Sequence, residues 1–409
     1  MAVSITSSET VTKTTQRQRI LIATERFWPH SGLAETTIAN LAVQIKNLNH
    51  EVIVASSLGD KNWSGYINFR EIPVHRIARP SSNPWSSFRY LRAFTKFFAQ
   101  QNDIDGVIVC GTGDESLAAT RVFGGKVPVV IRIDNNTSKI NSPPHRRKTD
   151  ILKAATHVVS NCAALANNMS SSYGIKVKTI FDPISPFAAE APLAKDEPTK
   201  TRSYEKQHNA RNTLNETHPI LHLFSDQPLI VCGMRMQDDP GTIDLIDSWP
   251  GVLEQYPDAK LWLIGDGPGG PRVWQRIVKY SLAHSVIMPG YFDSLEDIFL
   301  AADVVVHPAR TDAACEFLPR AMLAALPTVV TKSRWTDSFI VPKKSGLVVP
   351  PANPQAISEA IIYALKNKSV RIAMGQNAKE SAHKLHCPEK QTLQYLNLLT
   401  APSSVQKNK

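Results

Sequence analysis

Neither a long apolar run nor a secretory signal is found in this 409-residue sequence. No run approaches the ~20 apolar residues that a helix needs to span a bilayer. The first residues, MAVSITSSETVTKTTQRQR, are polar and rich in Ser and Thr, and they lack the apolar segment of a signal peptide. We therefore expect a cytoplasmic protein, and its charge leaves peripheral contact with the inner face of a membrane open.

Cysteine is scarce, and its spacing excludes two kinds of site. The chain has five cysteines, an odd number, and no C-x-x-C pair occurs. We therefore expect neither a disulfide framework nor a zinc site, and a reducing compartment fits. Most of the five have apolar or small neighbours, which is typical of buried free thiols. They are Cys110, Cys162, Cys232, Cys315 and Cys387.

Signatures of nucleic-acid binding and of triad catalysis are also missing. Aromatic residues make up 7% of the chain and do not interleave with basic residues as in an RNA-binding platform, so no nucleic-acid partner is expected. No Ser-His-Asp arrangement can be inferred, and the isolated His50, His157 and His284 are interpreted as structural. Asp103 and Asp105 precede a predicted strand, and we do not interpret them as a metal site.

What the chain does have is apolar content and positive charge. Apolar residues make up 42%, enough for a sizeable core, and the net charge is +10 with a pI of about 9.3. Such a charge favours anionic partners such as nucleotides, phosphosugars or an anionic membrane surface. A basic surface that is merely solvated is an equally good interpretation.

Short apolar runs alternate with segments of helical periodicity in both halves of the chain, which predicts strands alternating with helices. In the first half, predicted strands lie at Ile20–Ala23, Val52–Ala55, Gly106–Val109, Val127–Ile133 and Ala155–Ser160, with a helix around Ile38–Leu48. In the second half, they lie at Leu229–Cys232, Lys260–Ile264, Ser285–Met288, Val304–Val306 and Thr328–Thr331. The helices predicted there are Thr242–Tyr256, Val273–Leu282, Leu295–Leu300 and Glu316–Ala325.

This alternation predicts an α/β fold of two Rossmann-like, doubly wound parallel-sheet domains. Ligands of such sheets bind beyond the carboxyl ends of the strands, so the loops that follow strands are the candidate sites. We predict a disordered polar arm at 1–18, a first domain at 19–185 and a linker rich in Pro, Ala and charge at 186–227. The second domain follows at 228–385, then a helix at 386–400 that returns to the first domain, and a tail at 401–409.

The stretch LWLIGDGPGG, residues 261–270, formally contains the G-x-G-x-x-G pattern of dinucleotide sites. Such a site also needs an acidic residue at the end of the next strand, ~20 residues further on. Pro289 and Gly290 stand there instead, and the turn lies deep in the second half. An NAD(P)-dependent oxidoreductase is therefore only a remote alternative.

The order of several motifs resembles another family. VCGMRMQDDPG, AKLWLIGDGP, RAMLAALPTVVTK and SGLVVPPANPQAISEAI follow one another in the second half, with SVIMPGYFDSLEDIFLAADVVVHPARTD between them. In the first half, FWPHSGLAE stands where that family has Y-P-x-x-G-G-A-E. The chain resembles group 1 (family 4) retaining glycosyltransferases of the GT-B fold from about Arg19 to about Leu399.

The resemblance implies two domains facing across a cleft, with the acceptor in the first and the donor in the second. It implies transfer of a sugar from a nucleoside diphosphate sugar to an acceptor with retention of configuration, of the hexosyltransferase type. Polysaccharide or glycoconjugate synthesis would use such a reaction, with a saccharide, lipid-linked or small-molecule acceptor. The resemblance also implies catalysis without a metal or cofactor.

Matching positions suggest the donor site. We expect Arg235 to bind the diphosphate, since leaving-group charge needs a cation. Gly32, Gly265 and Gly267 would let backbone approach phosphate or nucleotide. Met288, within the segment Ile287–Gly290, would line the base through backbone groups. Surface arginines and turn glycines of no special function remain alternative interpretations.

The family's pair of glutamates, eight positions apart, falls on Asp312 and Arg320. Asp312 keeps the carboxylate that the resemblance assigns to the donor sugar. Arg320 reverses the charge, and a guanidinium cannot accept hydrogen bonds from ribose, although it could hold a phosphate or carboxylate. Glu316 precedes Arg320 by one helical turn, which predicts an ion pair. Asp134 is a weaker candidate, for a sugar hydroxyl or for a turn cap.

Other departures from the family are Pro240 for a lysine, Leu33 for a glycine, Ala325 for a glycine, and a missing histidine in the first half. Much of the chemistry expected close to the substrate is therefore altered while the scaffold pattern persists. A catalytically inactive GT-B protein that binds a nucleotide or phosphosugar is the main alternative function.

Overall fold

The computed structural model describes residues 16–30, 33–78, 86–134, 145–184, 204–233, 236, 241–292, 294–311 and 315–400. The chain divides into two compact units. The first unit contains Met1–Asn161, Leu165–Pro183 and Pro388–Lys409, and the second contains Cys162–Ala164 and Ile184–Cys387. Most of the predicted polar arm, the first part of the predicted linker and the tail lie outside the described residues.

The first unit has an eight-stranded sheet in the order β3-β4-β2-β1-β5-β6-β7-β8. Its strands are β1 Arg19–Thr24, β2 Glu51–Leu58, β3 Tyr66–Phe69, β4 Ile72–Ala78, β5 Gly106–Cys110, β6 Val129–Ile133, β7 His157–Ser160 and β8 Val177–Thr179. Neighbouring strands are parallel except β3 and β4. The helices are α1 Leu33–Asn47, α2 Ser86–Ala99, α3 Asp114–Phe123, α4 His145–Ala154 and α5 Ala163–Tyr173.

The second unit has a six-stranded parallel sheet in the order β11-β10-β9-β12-β13-β14. Its strands are β9 Leu229–Gly233, β10 Lys260–Ile264, β11 Val286–Gly290, β12 Val304–His307, β13 Thr328–Thr331 and β14 Leu347–Val349. The helices are α6 Tyr204–Thr217, α7 Gly241–Gln255, α8 Gly270–Lys279, α9 Glu296–Ala301, α10 Phe317–Leu323, α11 Pro354–Lys366 and α12 Lys368–His386. The predicted class of two doubly wound parallel-sheet domains is confirmed.

The strands form where the sequence is continuously apolar because both faces of each central strand are buried. In β1, residues 20–23 are fully buried, and in β9, residues 229–231 are as well. Strands of parallel sheets covered by helices on both sides read as apolar runs rather than as alternating patterns. The core of each unit therefore lies along its sheet.

Part of the predicted linker is a helix. Helix α6 is polar, with few buried apolar side chains, and Arg211 holds it in place. The Arg211 guanidinium donates to the carbonyls of Ala301, Ser225 and Gln227, and Nη2 lies 2.9 Å from Asp303 Oδ2. Gln207 and Asn215 add further side-chain hydrogen bonds, to Asp303 and to the backbone of Leu223. Because polar contacts rather than a wide apolar face fix this helix, its composition alone resembles a linker.

The hairpin of β3 and β4 was not predicted. Its two strands are joined by Arg70 and Glu71, both at positive φ (51° and 61°). Two-residue hairpin turns of this kind normally carry Asn or Gly, so the usual turn signal is missing from the sequence.

A last helix, α13, spans Pro388–Thr400 and belongs to the first unit. Tyr395, Leu396 and Leu399 are buried in that unit's core. Leu399 packs so closely on Gly106 that a Cβ there would lie 2.8 Å from its Cδ2. The close packing of α13 on the start of β5 thus favours glycine at that position.

Helix α10 ends in a turn that normally requires glycine. Ala325 has φ +59°, its N–H donates to Met322 O (2.9 Å), and Leu326 N–H donates to Ala321 O (3.0 Å). These two bonds define a Schellman motif, in which glycine is preferred at the left-handed position. Ala325 stands where the family pattern has a glycine. The left-handed conformation of this position explains why glycine suits it.

Replacing Ala325 by glycine is therefore expected to stabilise the second unit. The left-handed conformation costs an alanine about 1–2 kcal/mol, and glycine avoids this cost. Glycine also has a larger backbone entropy in the unfolded chain, so the net increase in the free energy of unfolding should be roughly 1 kcal/mol. Thermal unfolding should show an increase in Tm of about 2–4 °C. The matched control Ala324→Gly, at φ −79°, should lower the Tm, and an equal response of both variants would contradict the explanation.

Candidate functional site

The carboxyl ends of β9, β10, β11 and β12 meet at one edge of the second sheet. These strands are neighbours in the order β11-β10-β9-β12, so the loops that follow them are neighbours too. Ligands of open parallel sheets bind beyond this edge. We take it as the candidate site of the second unit.

The glycine turn after β10 is bonded to the loop after β9. Met236 N–H donates to Asp266 O (3.1 Å), and Gly269 N–H donates to Met236 O (2.8 Å). A Cβ on Gly267 would lie 2.1 Å from Met236 O, which no side chain tolerates. Gly267 is therefore a glycine because two backbone segments approach each other here.

This packing changes the interpretation of the G-x-G-x-x-G pattern. The N–H groups at the start of α8 would have to face a phosphate in a dinucleotide site. Gly269 and Gly270 instead donate theirs to the carbonyls of Met236 and Gly267, and Pro271 has no N–H to donate. The turn is a structural junction between two loops, which is a further argument against the dinucleotide alternative.

Gly265 and Met288 belong to the same cluster. Gly265, at φ +118°, donates its N–H to Gly290 O (2.8 Å), which joins the turn to the end of β11. Met288 is partly buried, and its Cε would lie 3.9 Å from a Cβ on Gly270. The structure therefore brings three predicted residues together: Gly265, Gly267 and Met288.

On the other side of β9, the start of α10 approaches equally closely. A Cβ on Gly233 would lie 2.0 Å from the ring of Phe317. Cys315 donates from Sγ to Gly233 O at 3.2 Å, and burial raises the pKa of this thiol to about 11. Cys315 is therefore a neutral packing residue that ties α10 to the end of β9.

The predicted ion pair on α10 is present. Arg320 Nη2 lies 3.3 Å from Glu316 Oε2, with side-chain exposures of 13% and 27%. Nε of Arg320 is buried and has no hydrogen-bond partner in the part of the chain that the structure describes. The pair lies on α10, whose start packs on Gly233 at the end of β9, and thus belongs to the same edge of the sheet.

Sequence reasoning missed a second ion pair at this edge. Arg310, three residues after β12, binds Asp244 in the first turn of α7 with both arms of its guanidinium, and Nε lies 2.6 Å from Oδ2. Asp244 is buried, whereas about a third of the Arg310 side chain is exposed. The sequence feature that could have revealed this pair is an arginine shortly after a buried strand.

Three predicted residues, Gly32, Arg235 and Asp312, lie outside the described residues, as does Pro240. Their assignments stay predictions.

Asp134 lies at the carboxyl end of β6 in the first unit and is 1% exposed. Its Oδ2 accepts from Arg132 Nη1 (2.7 Å), and Arg132 Nη2 donates to Asp182 Oδ1 (2.5 Å). Asn161 Nδ2 donates to Asp182 Oδ2 (2.8 Å) and extends this buried network. A buried ion pair of this kind holds strand ends together. The sequence feature that could have revealed this network is an arginine, Arg132, within an otherwise apolar strand.

A second buried carboxyl group in the first unit was not predicted. Glu115 follows β5, at the start of α3, and is 3% exposed. Tyr90 donates from its hydroxyl to Glu115 Oε1 at 2.6 Å. Burial raises the pKa of Glu115 to about 7. The adjacent Asp114 is ionically paired with Arg147.

The titration of Glu115 predicts a pH-dependent stability. Between pH 4.5 and about 7 the folded protein keeps a proton that the unfolded chain has released, so the free energy of unfolding falls as pH rises through this window. Glutamine does not titrate, so the free energy of unfolding of Glu115→Gln should not fall in this way. Relative to the natural protein, the variant should become more stable as pH rises through the window, by at most roughly 3 kcal/mol, and its Tm should rise accordingly. Thermal unfolding at several pH values measures this, and parallel Tm curves for the two proteins would contradict it.

A family model supports the resemblance seen in the sequence. Residues 215–381 match the model described as "Glycosyl transferases group 1". This segment contains β9–β14 and the whole candidate site, so the match to this family covers the part of the chain that holds the site. The assignment to family 4 and the retention of configuration stay predictions.

Curated relatives agree with this family. An uncharacterised glycosyltransferase of Methanocaldococcus jannaschii is 26% identical over 51% of this chain and 50% of its own length. A D-inositol 3-phosphate glycosyltransferase of Corynebacterium urealyticum is 29% identical over 36% of this chain and 37% of its own. The chain therefore spans half or less of the length of these relatives. An amylovoran biosynthesis glycosyltransferase of Erwinia amylovora is 20% identical over 86% of this chain and 92% of its own length.

Solved structures show the fold over nearly the whole chain. A sucrose-phosphate synthase of Thermosynechococcus elongatus has a TM-score of 0.74 at 17% identity and covers 93% of this chain and 98% of its own. Anabaena HepE, crystallised with UDP-glucose, has a TM-score of 0.70 at 17% identity. The match covers 93% of this chain and 100% of HepE. The chain thus has the fold of GT-B glycosyltransferases. None of the helices in the described ranges is both long and apolar enough to cross a bilayer.

Proposed function

We propose that this chain is a glycosyltransferase that moves a sugar, with retention, from a nucleoside diphosphate sugar to an acceptor. One observation carries the proposal. The carboxyl edge of the second sheet, inside the segment that matches the family model, gathers Gly265, Gly267, Met288, Glu316 and Arg320. The proposal needs no metal and no cofactor.

The donor would bind through cations and backbone groups at this edge. Transfer breaks the bond between the sugar and a diphosphate, and the charge that develops on the diphosphate must be stabilised. Arg235 is proposed for this role, and Asp312 is proposed to bind the donor sugar. Arg310 is a further basic residue at the same edge, held by Asp244 and partly open to solvent.

Glu316 is proposed to bind the ribose, in place of the carboxylate that Arg320 has replaced. A guanidinium has no acceptor atoms, whereas the Glu316 carboxylate can accept from both ribose hydroxyls. Arg320 lies 3.3 Å from Glu316 and would fix the orientation of that carboxylate. The charge reversal at Arg320 is then compatible with donor binding.

The acceptor is proposed to bind in the first unit. The names of two structural neighbours describe complexes that contain both a nucleotide and a sugar compound: Anabaena HepE with UDP and glucose, and a Staphylococcus aureus TarM mutant with UDP, Fondaparinux and α-GlcNAc-glycerol. In this chain, Trp28 follows β1 and is 51% exposed, and Arg76 donates to its carbonyl at 2.7 Å. An exposed indole that follows β1, at the carboxyl edge of the first sheet, suits a sugar face. We further propose a cytoplasmic site of action, which the free cysteines support.

An inactive GT-B protein that binds a nucleotide or phosphosugar is the second candidate. Pro240 stands where the resemblance implies a phosphate-binding lysine, and Arg320 where it implies a carboxylate. Both departures favour binding without turnover, so the two candidates differ in catalysis rather than in the position of the site.

Calorimetric titration with UDP, GDP, ADP and their sugars tests the proposal, together with an assay of donor hydrolysis. One nucleoside diphosphate should bind, and Glu316→Gln should weaken it by about tenfold or more, because a hydrogen bond to a charged group is lost. Glu359→Gln, an exposed glutamate on α11 whose Oε1 accepts from Gln355, is the matched control and should bind normally.

Each outcome of that experiment decides something. Binding with donor hydrolysis, or with transfer to an acceptor mixture, supports the enzyme. Binding with no turnover in any mixture supports the inactive protein. Binding of NAD(P) in preference to every nucleoside diphosphate, or no binding at all, contradicts the proposed site.

A further inference from the structure

Helix α8 has a core-facing side and, next to it, an exposed apolar stripe. Val273 and Ile277 are 4% and 0% exposed and belong to the core of the second unit. On the neighbouring side, Trp274 and Val278 are 49% and 55% exposed, and Pro271 is also exposed. Positions 271, 274 and 278 follow the spacing of a single helical stripe. The outer face of α8 is defined here by Pro271, Arg272, Trp274, Val278, Lys279 and Tyr280.

Positive charge borders this apolar stripe. Between Asp266 and Asp293 the sequence has no acidic residue, while Arg272, Arg276 and Lys279 all lie on α8. Arg276 is paired with Asp247 on α7, and Arg272 and Lys279 are exposed and lie together on one side of the stripe, roughly 100° further round the helix. The outer face of α8 therefore has an apolar stripe with basic residues along one side of it.

The position of α8 keeps this face outward. Helix α8 connects β10 to β11, and β11 is the edge strand of the second sheet. Its inner side packs on that sheet and on α7. Tyr280, which ends the helix, is 38% exposed, and the guanidinium of Arg276 lies 5.1 Å from the centroid of its ring.

We propose that the outer face of α8 binds the surface of an anionic lipid bilayer. Tryptophan and tyrosine are suited to the boundary between headgroups and acyl chains, since each has an apolar body and a polar tip. Valine and proline can enter that boundary, and the two basic residues meet lipid phosphates. The proposal goes beyond the proposed function and does not rest on it.

Charge complementarity favours a lipid surface over other occupants. A nucleic acid would pair with the basic residues but offers no apolar layer for Val278 and Pro271. A short amphipathic helix binds membranes weakly and reversibly, and each basic residue near an anionic surface strengthens binding about fivefold. The chain's net charge of +10 acts in the same direction.

Sedimentation with vesicles tests the proposal on the full chain. Vesicles of phosphatidylcholine with phosphatidylglycerol should bind the natural protein, and pure phosphatidylcholine should bind it at least about tenfold more weakly. Trp274→Ser combined with Val278→Ser should reduce binding to the anionic vesicles about tenfold or more. Arg272→Gln combined with Lys279→Gln should remove the preference for anionic lipid.

The matched control is Tyr363→Ser, which removes an exposed aromatic residue (47%) from α11 of the same unit and should bind like the natural protein. Unchanged Tm values will show that all variants are folded. No binding to anionic vesicles, or equal loss in the Tyr363 and the α8 variants, overturns the proposal. Sedimentation velocity showing a dimer that only the Trp274 and Val278 double variant dissolves would overturn it too, because the face would then bind a second copy.

Discussion

The candidate site depends on two glycines, at each of which a neighbouring group comes closer to the backbone than a Cβ atom would permit. Gly233 makes room for the ring of Phe317, and Gly267 makes room for the carbonyl of Met236. These two contacts join the loops after β9 and β10 to the start of α10. Because the loops are tied to one another, Met288 and the Glu316–Arg320 pair occupy defined places along one edge of the sheet.

Much of the fold was predictable because it depends on local pattern. Five of the six strands of the second unit, β9–β13, were predicted to within one or two residues, since buried parallel strands are continuous apolar runs, whereas the three-residue edge strand β14 was not predicted. Helix α6 and the β3–β4 hairpin escaped prediction for physical reasons. The first is fixed by polar tertiary contacts such as that of Arg211 with Asp303, and the second turns at Arg70 and Glu71 without glycine.

The site was harder to predict because its chemistry comes from tertiary contacts. Motif order located the glycine turn, but only the contact with Met236 shows that Gly267 serves loop packing. The pairing of Arg310 with Asp244 joins residues far apart in sequence, and the buried state of Glu115 depends on Tyr90 from another helix. Spacing within one helix predicted the Glu316–Arg320 pair, since i and i+4 are neighbours on any helix.

Amide hydrogen exchange with and without the tightest of UDP, GDP and ADP tests most directly whether the donor binds at this edge. The account predicts slower exchange on binding in residues 264–270, 286–290 and 316–320, with little change in the first unit. Protection confined to the loops of the first unit, or a bound nucleotide that leaves these three segments unprotected, would contradict it.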